Sequence, residues 1–147
     1  MHIQKLTPSD YDNVIALWTA CPEMELNNVD DSREGFERFL DRNPDTCFAA
    51  VEEEKLQGVI LSGNDGRRGY IYHAAVAPDA RGRGIGSELV QAVLEQMKAF
   101  GISKVGLLVF ADNENGARFW KAHGFDVCSD LLYCSNVLVP VRRIGKA

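Results

Sequence analysis

The chain has 147 residues, 46% of them hydrophobic and 25% charged, and its formal net charge is −5. This length and balance are typical of one globular domain whose core is large enough to fold without disulfides or a metal. The acidic balance argues against nucleic acid as the main partner, because binding to phosphates requires a basic face.

The first part of the chain predicts a strand and two helices. A short strand is expected over 3–6, and Thr7 or Ser9 can cap a helix that runs to about Ala20. The apolar residues of this helix recur with a helical period. A second helix is expected over about 32–42.

Three strands are expected next. They are apolar or alternating runs separated by a charged turn and by a Gly-Asn-Asp-Gly turn. Their ranges are 46–51, 56–62 and 69–77. Short turns join them, so they predict an antiparallel meander.

The second part of the chain predicts helices that alternate with strands. A long amphipathic helix is expected over 84–100, and the near-continuous apolar run 104–110 predicts a strand buried on both faces. Asp112 or Asn113 can cap a further helix that ends near His123.

The last segments, 125–128 and 131–139, are expected to form a closing antiparallel pair of strands. No repeat, low-complexity segment or linker interrupts the chain. The order of elements therefore predicts one mixed α/β domain over 1–147.

The sequence predicts neither an export signal, nor a membrane span, nor a metal site. The N-terminus lacks an apolar core of signal-peptide length, and no apolar run approaches a spanning length. The four cysteines show no C-x-x-C spacing, and the three histidines show no metal-ligand spacing. We expect a cytoplasmic protein with reduced thiols in or near the core, no metal and no membrane partner.

A turn with three alternate glycines, Gly82, Gly84 and Gly86, lies between the strand 69–77 and the long helix. Glycines lack a Cβ atom, so a phosphate can approach their N–H groups closely. These groups coincide with a helix N-terminus, whose partial positive charge favours an anion. Arg81 and Arg83 add two guanidinium groups, and the turn therefore predicts a site for a phosphate-bearing ligand.

Two familiar phosphate-binding motifs do not fit this turn. A P-loop requires a lysine followed by Ser or Thr, and the turn has no lysine. A dinucleotide fingerprint requires G-x-G-x-x-G after the first strand of a parallel unit, whereas this G-x-G-x-G follows an antiparallel meander. A glycine-rich loop that only turns a corner is the structural alternative.

The segment 75–86 resembles the central motif of the GNAT superfamily of acyl-CoA-dependent N-acyltransferases. The family's R/Q-x-x-G-x-G/A is matched by Arg81, Gly84 and Gly86, after a strand that ends in a V-x-P match. A second block, 113–125, resembles the family's N-x-x-A-x-x-L-Y-x-x-x-G-F. The resemblance implies a mostly antiparallel sheet of about six to seven strands with a splayed central pair, flanked by about four helices.

The resemblance also implies that acetyl-CoA is the cosubstrate. The pyrophosphate would lie on the turn, and the pantetheine arm would pair with the strand before it. The residues expected to bind the cofactor are Ala75, Val76, Arg81, Gly82, Arg83, Gly84, Ile85, Gly86, Ser87, Asn113 and Trp120.

The reaction implied by the resemblance is direct attack of a neutral amine on the acetyl thioester. Many relatives protonate the leaving thiolate with a tyrosine, but this chain has Trp120 there, and an indole N–H does not titrate usefully. The backbone N–H of Ala74 is the candidate that would stabilise the oxyanion. The candidate acids and bases are Tyr70, Tyr72, His73 and Tyr133.

These candidate acids and bases are expected on different parts of the sheet. Tyr70 and Tyr72 alternate along a strand and should share one face, with Tyr72 acting through water as a weak base. His73 should point to the opposite face. Tyr133 would act as an acid from the penultimate strand. Packing in a half-buried sheet is the alternative for the three strand residues.

The acceptor is expected to be the amine of a small molecule or of a peptide. The stretch 22–31 carries Glu23, Glu25, Asp30 and Asp31, and an acidic rim would attract a cationic amine. A solvated loop is the alternative. The basic tail of Arg142, Arg143 and Lys146 is expected to be a frayed terminus.

Two other functions remain open at this point. Trp120 also suits a CoA-binding sensor or regulatory module without turnover, and the turn could serve a different phosphate ligand. The sequence leaves the oligomeric state open, and a homodimer is one state to test, because dimers are common among similar proteins.

Overall fold

The computed structural model describes residues 1–144, which form two sheets and four α-helices. The strands are β1 (His2–Lys5), β2 (Leu26–Asn27), β3 (Phe48–Glu52), β4 (Lys55–Asn64), β5 (Gly69–Val76), β6 (Val105–Leu107) and β7 (Arg143–Ile144). The helices are α1 (Tyr11–Thr19), α2 (Arg33–Arg42), α3 (Ile85–Ala99) and α4 (Glu114–Ala122). The predicted mixed α/β class is confirmed.

The main sheet has five strands in the order β1-β3-β4-β5-β6. The pairs β1–β3, β3–β4 and β4–β5 are antiparallel, which is the predicted meander, and β6 lies parallel to β5. Strands β2 and β7 form a separate antiparallel pair. The main sheet therefore has five strands where about six to seven were expected, and neither β2 nor β7 was among the predicted strands.

The central pair β5–β6 separates along its length. Its register runs only from Gly69 opposite Val105 to Ile71 opposite Leu107. The rest of β5, residues 72–76, has no neighbouring strand on that side within the described part of the chain. Backbone groups at such an opening require other partners, so a ligand can pair with them.

Helices cover both faces of the sheet and form two clusters of buried side chains. On one face, Trp18 of α1 and Phe36 of α2 pack over Ala49 and Val59. On the other face, α3 buries Leu89, Val90 and Val93 among its apolar residues. The sheet is therefore the middle of three layers.

The predicted strand 104–110 and the predicted closing pair 125–128 and 131–139 are corrected by the structure. Only Val105–Leu107 is a strand, and neither closing strand forms. Leu108, the first residue after β6, is 56% exposed and not buried on both faces as predicted. Apolar runs form buried strands only where a neighbouring strand supplies hydrogen bonds.

The end of the chain is better ordered than predicted. Arg143 pairs with Asn27 in the small sheet, and the N–H of Arg142 donates to Oδ1 of Asn28 at 2.6 Å. These two residues are therefore not frayed, because backbone pairing holds them. Lys146, the third member of the basic tail, lies outside the described residues.

The cysteines are distributed differently from the prediction. Cys21 and Cys47 are buried, whereas Cys128 and Cys134 are exposed, because the segment that carries the latter two does not pack as a strand. Among residues 1–144, no helix has the length and apolar character needed to cross a membrane.

Candidate active site

A bulge in β5 determines which side chains face the α1 and α2 side of the sheet. His73 lies opposite Leu61, whereas Ile71 lies opposite Ser62, so Tyr72 is an extra residue in β5. A bulge can place two consecutive side chains on the same face of a sheet. Tyr72 and His73 both line one cavity. The prediction that His73 points away from Tyr72 is therefore wrong, because simple alternation fails at the bulge.

Buried hydrogen bonds hold β4 and the residues that precede β3 together at this bulge. The hydroxyl of Ser62 donates to the carbonyl oxygen of Thr46 at 2.5 Å, and the hydroxyl of Thr46 donates to the carbonyl oxygen of Ser62 at 2.7 Å. The thiol of Cys47 donates to the same carbonyl oxygen of Ser62 at 3.1 Å. Buried groups bonded in this way fix the local register.

His73 is held by a carboxylate from the loop between α1 and α2. Its Nε2 lies 3.0 Å from Oδ1 of Asp31, whose side chain is 4% exposed. The other oxygen of Asp31 accepts the N–H of Asn27 at 2.8 Å. The ring of Trp18 packs edge-on against the imidazole at 4.7 Å. An ionised carboxylate only accepts, so Nε2 donates and Nδ1 of the neutral ring is left as an acceptor.

The cavity beside His73 has a volume of about 550 Å³. The loop before α2 contributes Glu25, Asp30 and Asp31 to its lining, and α2 itself contributes Arg38 and Arg42. Three of the four predicted acidic residues therefore line a concave site, whereas Glu23 pairs with Arg81. Two arginines that the sequence did not mark share this site.

The tyrosines of β5 form an aromatic group next to the cavity. The rings of Tyr70 and Tyr72 are 4.6 Å apart, which confirms that they share a face. Burial raises the pKa of Tyr70 above its ordinary value, and the nearby Tyr133 and Tyr72 raise that pKa further. Burial, Asp30 and Tyr133 likewise raise the pKa of Tyr72. Phenols of this kind stay protonated near neutral pH, so they suit a donor and not the predicted weak base.

Tyr133 lies near these two phenols but not on a strand. It is 70% exposed, and the segment that carries it forms no β-structure. The predicted position on a penultimate strand is therefore wrong, although its proximity to Tyr70 keeps it at the site.

Two of the three glycines in the turn adopt a left-handed backbone conformation. Gly82 and Gly84 have φ angles of 80° and 82°, and Gly84 directly precedes the first residue of α3. A Cβ atom at either position would meet nothing within 4 Å, so the left-handed conformation is what requires glycine there. Gly86 differs, since a Cβ atom there would lie 3.1 Å from the ring of Phe119 on α4.

The two arginines of the turn are already paired with carboxylates. Arg81 donates to the carbonyl oxygen of Val76 at 3.2 Å and to Glu23. Arg83 donates to Glu52 at 2.6 Å, and this hydrogen bond holds the pKa of the Glu52 carboxyl below its ordinary value. Each guanidinium has five N–H donors and is about half exposed, so donors remain for a second anion.

Ser87 has a hydrogen-bond partner that the sequence did not predict. Its Oγ lies 2.8 Å from Nε2 of His123, and Nδ1 of His123 lies 2.7 Å from the carbonyl oxygen of Phe119. A carbonyl only accepts, so Nδ1 donates, and the neutral ring accepts the Ser87 hydroxyl at Nε2. This contact joins the first turn of α3 to the end of α4.

The remaining predicted residues have clear structural roles. The side chain of Asn113 caps α4 by accepting the N–H of Gly116 at 2.9 Å. Trp120 packs its ring against Phe119 and Phe125. The side chain of Ile85 is buried in the core, so its backbone alone can meet a ligand. Ala74, Ala75 and Val76 form the part of β5 that has separated from β6.

Across the described residues, no group of three or more His, Cys, Asp or Glu side chains could hold a metal ion.

Comparison with known proteins supports a single family. Residues 11–125 match the Acetyltransferase (GNAT) family. An acetyltransferase of Sodalis glossinidius is 35% identical over 139 residues, covering 95% of this chain and 96% of that protein. One from Yersinia enterocolitica is 32% identical over 139 residues, with 95% and 97% covered.

Solved structures share the same fold at lower identity. Ard1 from Thermoplasma volcanium superposes with a TM-score of 0.77 at 21% identity, covering 86% of this chain and 82% of that chain. The PaiA N-acetyltransferase of Thermoplasma acidophilum, in complex with coenzyme A, has a TM-score of 0.75 at 19% identity, with 86% and 89% covered.

Proposed function

Because the chain belongs to the GNAT family of acetyltransferases, we propose that it transfers the acetyl group of acetyl-CoA to an amine of a small molecule or a peptide. The single observation that carries this proposal is the His73–Asp31 pair, which lines a cavity at the point where β5 has separated from β6. A group that can accept a proton thus lies beside an opening for the pantetheine arm.

The residues of the glycine turn fit a pyrophosphate. Two glycines in the left-handed conformation precede α3, a helix of 15 residues, so N–H groups and the positive end of the helix coincide. Arg81 and Arg83 would contribute their unpaired N–H donors, with Ser87 beside them, and Asn113 would hydrogen-bond the CoA arm. Acetyl-CoA supplies an activated thioester when it is bound.

The proposed chemistry begins at Nδ1 of His73. That atom accepts a proton from the ammonium form of the acceptor, and Asp31 stabilises the imidazolium that results. The free amine nitrogen bonds to the thioester carbonyl carbon, whose oxygen receives a hydrogen bond from the N–H of Ala74. The C–S bond then breaks with its electron pair going to sulfur. A phenol of the group Tyr70, Tyr72 and Tyr133 protonates the thiolate, and the remaining extra proton of the nitrogen passes through water to the phenolate, which leaves the neutral amide and CoA.

The second candidate function, a CoA-binding module without turnover, is favoured by Trp120, whose partly buried ring packs against the core and carries no titrating proton. Calorimetric titration with CoA and a broad amine panel separate the two. The panel is scored by CoA release and by the mass of the N-acetylated product. Binding together with a new N-acetyl product supports the transferase. Tight binding without any product supports the binding module, and no binding at millimolar acetyl-CoA excludes both.

Homodimer formation and a cytoplasmic location stay predictions. A physical reason for self-association is the exposure of large apolar side chains over 108–110 and 127–141, since monomeric proteins seldom expose long apolar segments. Light scattering on the purified chain would show a doubled mass if two copies associate, and a single-chain mass would contradict the dimer.

A further inference from the structure

The charges of the acceptor cavity point to a narrower class of substrate. Resting on the proposed transfer, we infer that the acceptor carries a carboxylate as well as its amine, and that Arg38 and Arg42 bind this carboxylate. The acceptor is therefore an amino acid or a short peptide with a free C-terminus.

The first observation is the position of the two arginines. Arg38 and Arg42 are four residues apart on α2, so they lie on one face of the helix one turn apart, and both line the cavity. No carboxylate of residues 1–144 lies within ion-pair distance of either side chain. By contrast, Arg33 of the same helix lies outside the cavity lining and pairs with Asp12 at 2.6 Å.

The second observation is that the carboxylates of the cavity already have partners. Asp31 accepts from His73 and from the N–H of Asn27, Asp30 accepts from the side chain of Asn27, and Glu25 pairs with Arg143 at 3.4 Å. These acidic groups are not neutralising Arg38 or Arg42. The cavity therefore contains an acidic wall and a basic wall whose charges a single ligand of both signs can match.

A purely cationic acceptor fits this cavity less well. A second ammonium on a diamine would lie near two guanidinium groups, and like charges in a partly enclosed site repel. A guanidinium instead binds a carboxylate through two parallel hydrogen bonds, and two arginines one turn apart can share one. The volume of about 550 Å³ lies within the range of small-molecule sites.

The test compares acceptors that differ only in the carboxylate. L-lysine is paired with 1,5-diaminopentane, L-ornithine with 1,4-diaminobutane, and a dipeptide with its C-terminal amide. Acetylation is followed by CoA release and product mass, and binding is measured by calorimetry in the presence of CoA. We expect the carboxylate-bearing member of at least one pair to be preferred about tenfold or more in kcat/KM and in affinity. The pair that shows the preference distinguishes an amino acid from a peptide.

Variants identify the residues responsible. The double variant Arg38→Gln/Arg42→Gln should bring the preference of the responsive pair to about one. The control is Arg67→Gln, which removes an exposed arginine of the turn between β4 and β5. This variant should retain the preference for the carboxylate-bearing acceptor. A preference that survives in the double variant overturns the inference.

The binding measurement separates failure of the inference from failure of the proposed function. The inference is overturned if, in every pair, the acceptor without a carboxylate binds and reacts as well as or better than its carboxylate-bearing partner. The proposed transferase function would then still stand. Carboxylate-dependent binding without any acetylated product supports the inference while excluding the transferase. Binding of neither member of any pair also overturns the inference.

Discussion

The carboxylate of Asp31 lies 3.0 Å from Nε2 of His73, although the two residues are 42 positions apart in the sequence. The backbone carbonyl of Asp31 also accepts the hydroxyl of Tyr11 on α1 at 2.7 Å. Helix α1, the loop before α2 and the bulge of β5 therefore meet at one buried residue, Asp31. Acceptor binding and proton transfer would share this junction.

Replacing Asp31 by asparagine tests whether this junction acts in catalysis. The amide keeps the shape of the side chain but removes the negative charge that orients and stabilises a protonated imidazole. We expect Asp31→Asn to lower kcat by about 10- to 100-fold while leaving the KM for acetyl-CoA unchanged, as measured by steady-state kinetics. His73→Gln should lower kcat by at least as much.

Asp12→Asn is the matched control, since Asp12 forms a surface ion pair with Arg33. Both variants should give native circular dichroism spectra. If Asp31→Asn retained the full kcat, the His73–Asp31 pair would be a packing contact only.

The phenol group near the bulge predicts where activity depends on pH. The pKa values of Tyr70 and Tyr72 are raised above 10.0, so both phenols are largely protonated at pH 9 and below. A phenol that protonates the leaving thiolate should therefore impose no decline of kcat between pH 8 and 9. We expect Tyr72→Phe or Tyr70→Phe to lower kcat across that range without shifting the profile. A decline of the unmodified protein near pH 8 that Tyr72→Phe abolished would contradict this role.

Much of the fold follows from local patterns in the sequence. The turn before α3 was predictable because three alternate glycines precede a long amphipathic run, whereas the left-handed backbone of Gly82 and Gly84 is a finding of the structure. The helix over 84–100 was predictable because its apolar residues recur with a helical period over several turns. Element order and the antiparallel meander followed from turns of a few residues.

Features that depend on distant contacts were not predictable. The bulge at Tyr72 depends on register against β4, and no property of Tyr72 itself marks it. The contact of Asp31 with His73 depends on how the loop before α2 closes over the sheet. The prediction of the closing strands was wrong because an alternation of apolar residues indicates a strand but does not show which neighbouring strand it would pair with.

Gly84→Asp tests the phosphate role of the glycine turn. A carboxylate beside the pyrophosphate would repel it, so we expect the Kd for CoA to rise about 100-fold or more, measured by calorimetry. Gly101→Asp is the control, because Gly101 has a φ of 79° and open space around its Cβ position. Both variants carry the same backbone strain of about 1–2 kcal/mol. Equal CoA affinity of the two would mean that the turn has been misassigned.

Gly35→Ala tests how α2 supports the acceptor cavity. A Cβ atom at Gly35 would clash with the backbone carbonyl oxygens of Val29 and Asp30. The helix must then move away from the loop, which we expect to lower the free energy of unfolding by about 1–3 kcal/mol and to raise the KM for the acceptor. Urea unfolding and kinetics measure the two effects. Glu37→Ala, on an exposed position of α2, should change neither by a comparable amount.

The buried thiol of Cys47 makes stability depend on alkaline pH. Burial raises the pKa of Cys47 to about 12, so the thiol stays protonated in the folded protein at a pH where it ionises in the unfolded chain. The stability that this protonated thiol contributes is complete below about pH 9 and is lost as pH rises from there towards 12. Each pH unit in this interval costs about 1.4 kcal/mol.

The variant Cys47→Ala isolates this effect from the other groups that titrate at high pH. Urea unfolding of both proteins at pH 8 and pH 10 should show the unmodified protein losing about 1 kcal/mol more than the variant. Alkylation with iodoacetamide at pH 8 is an independent check, because Cys128 and Cys134 are exposed and Cys47 is buried. Peptide mass analysis should find the label on the two exposed cysteines. Rapid labelling of Cys47 in the native protein would mean that the hydrogen bond between Cys47 and Ser62 breaks readily. The buried hydrogen bonds at the bulge of β5 would then not hold the register firmly.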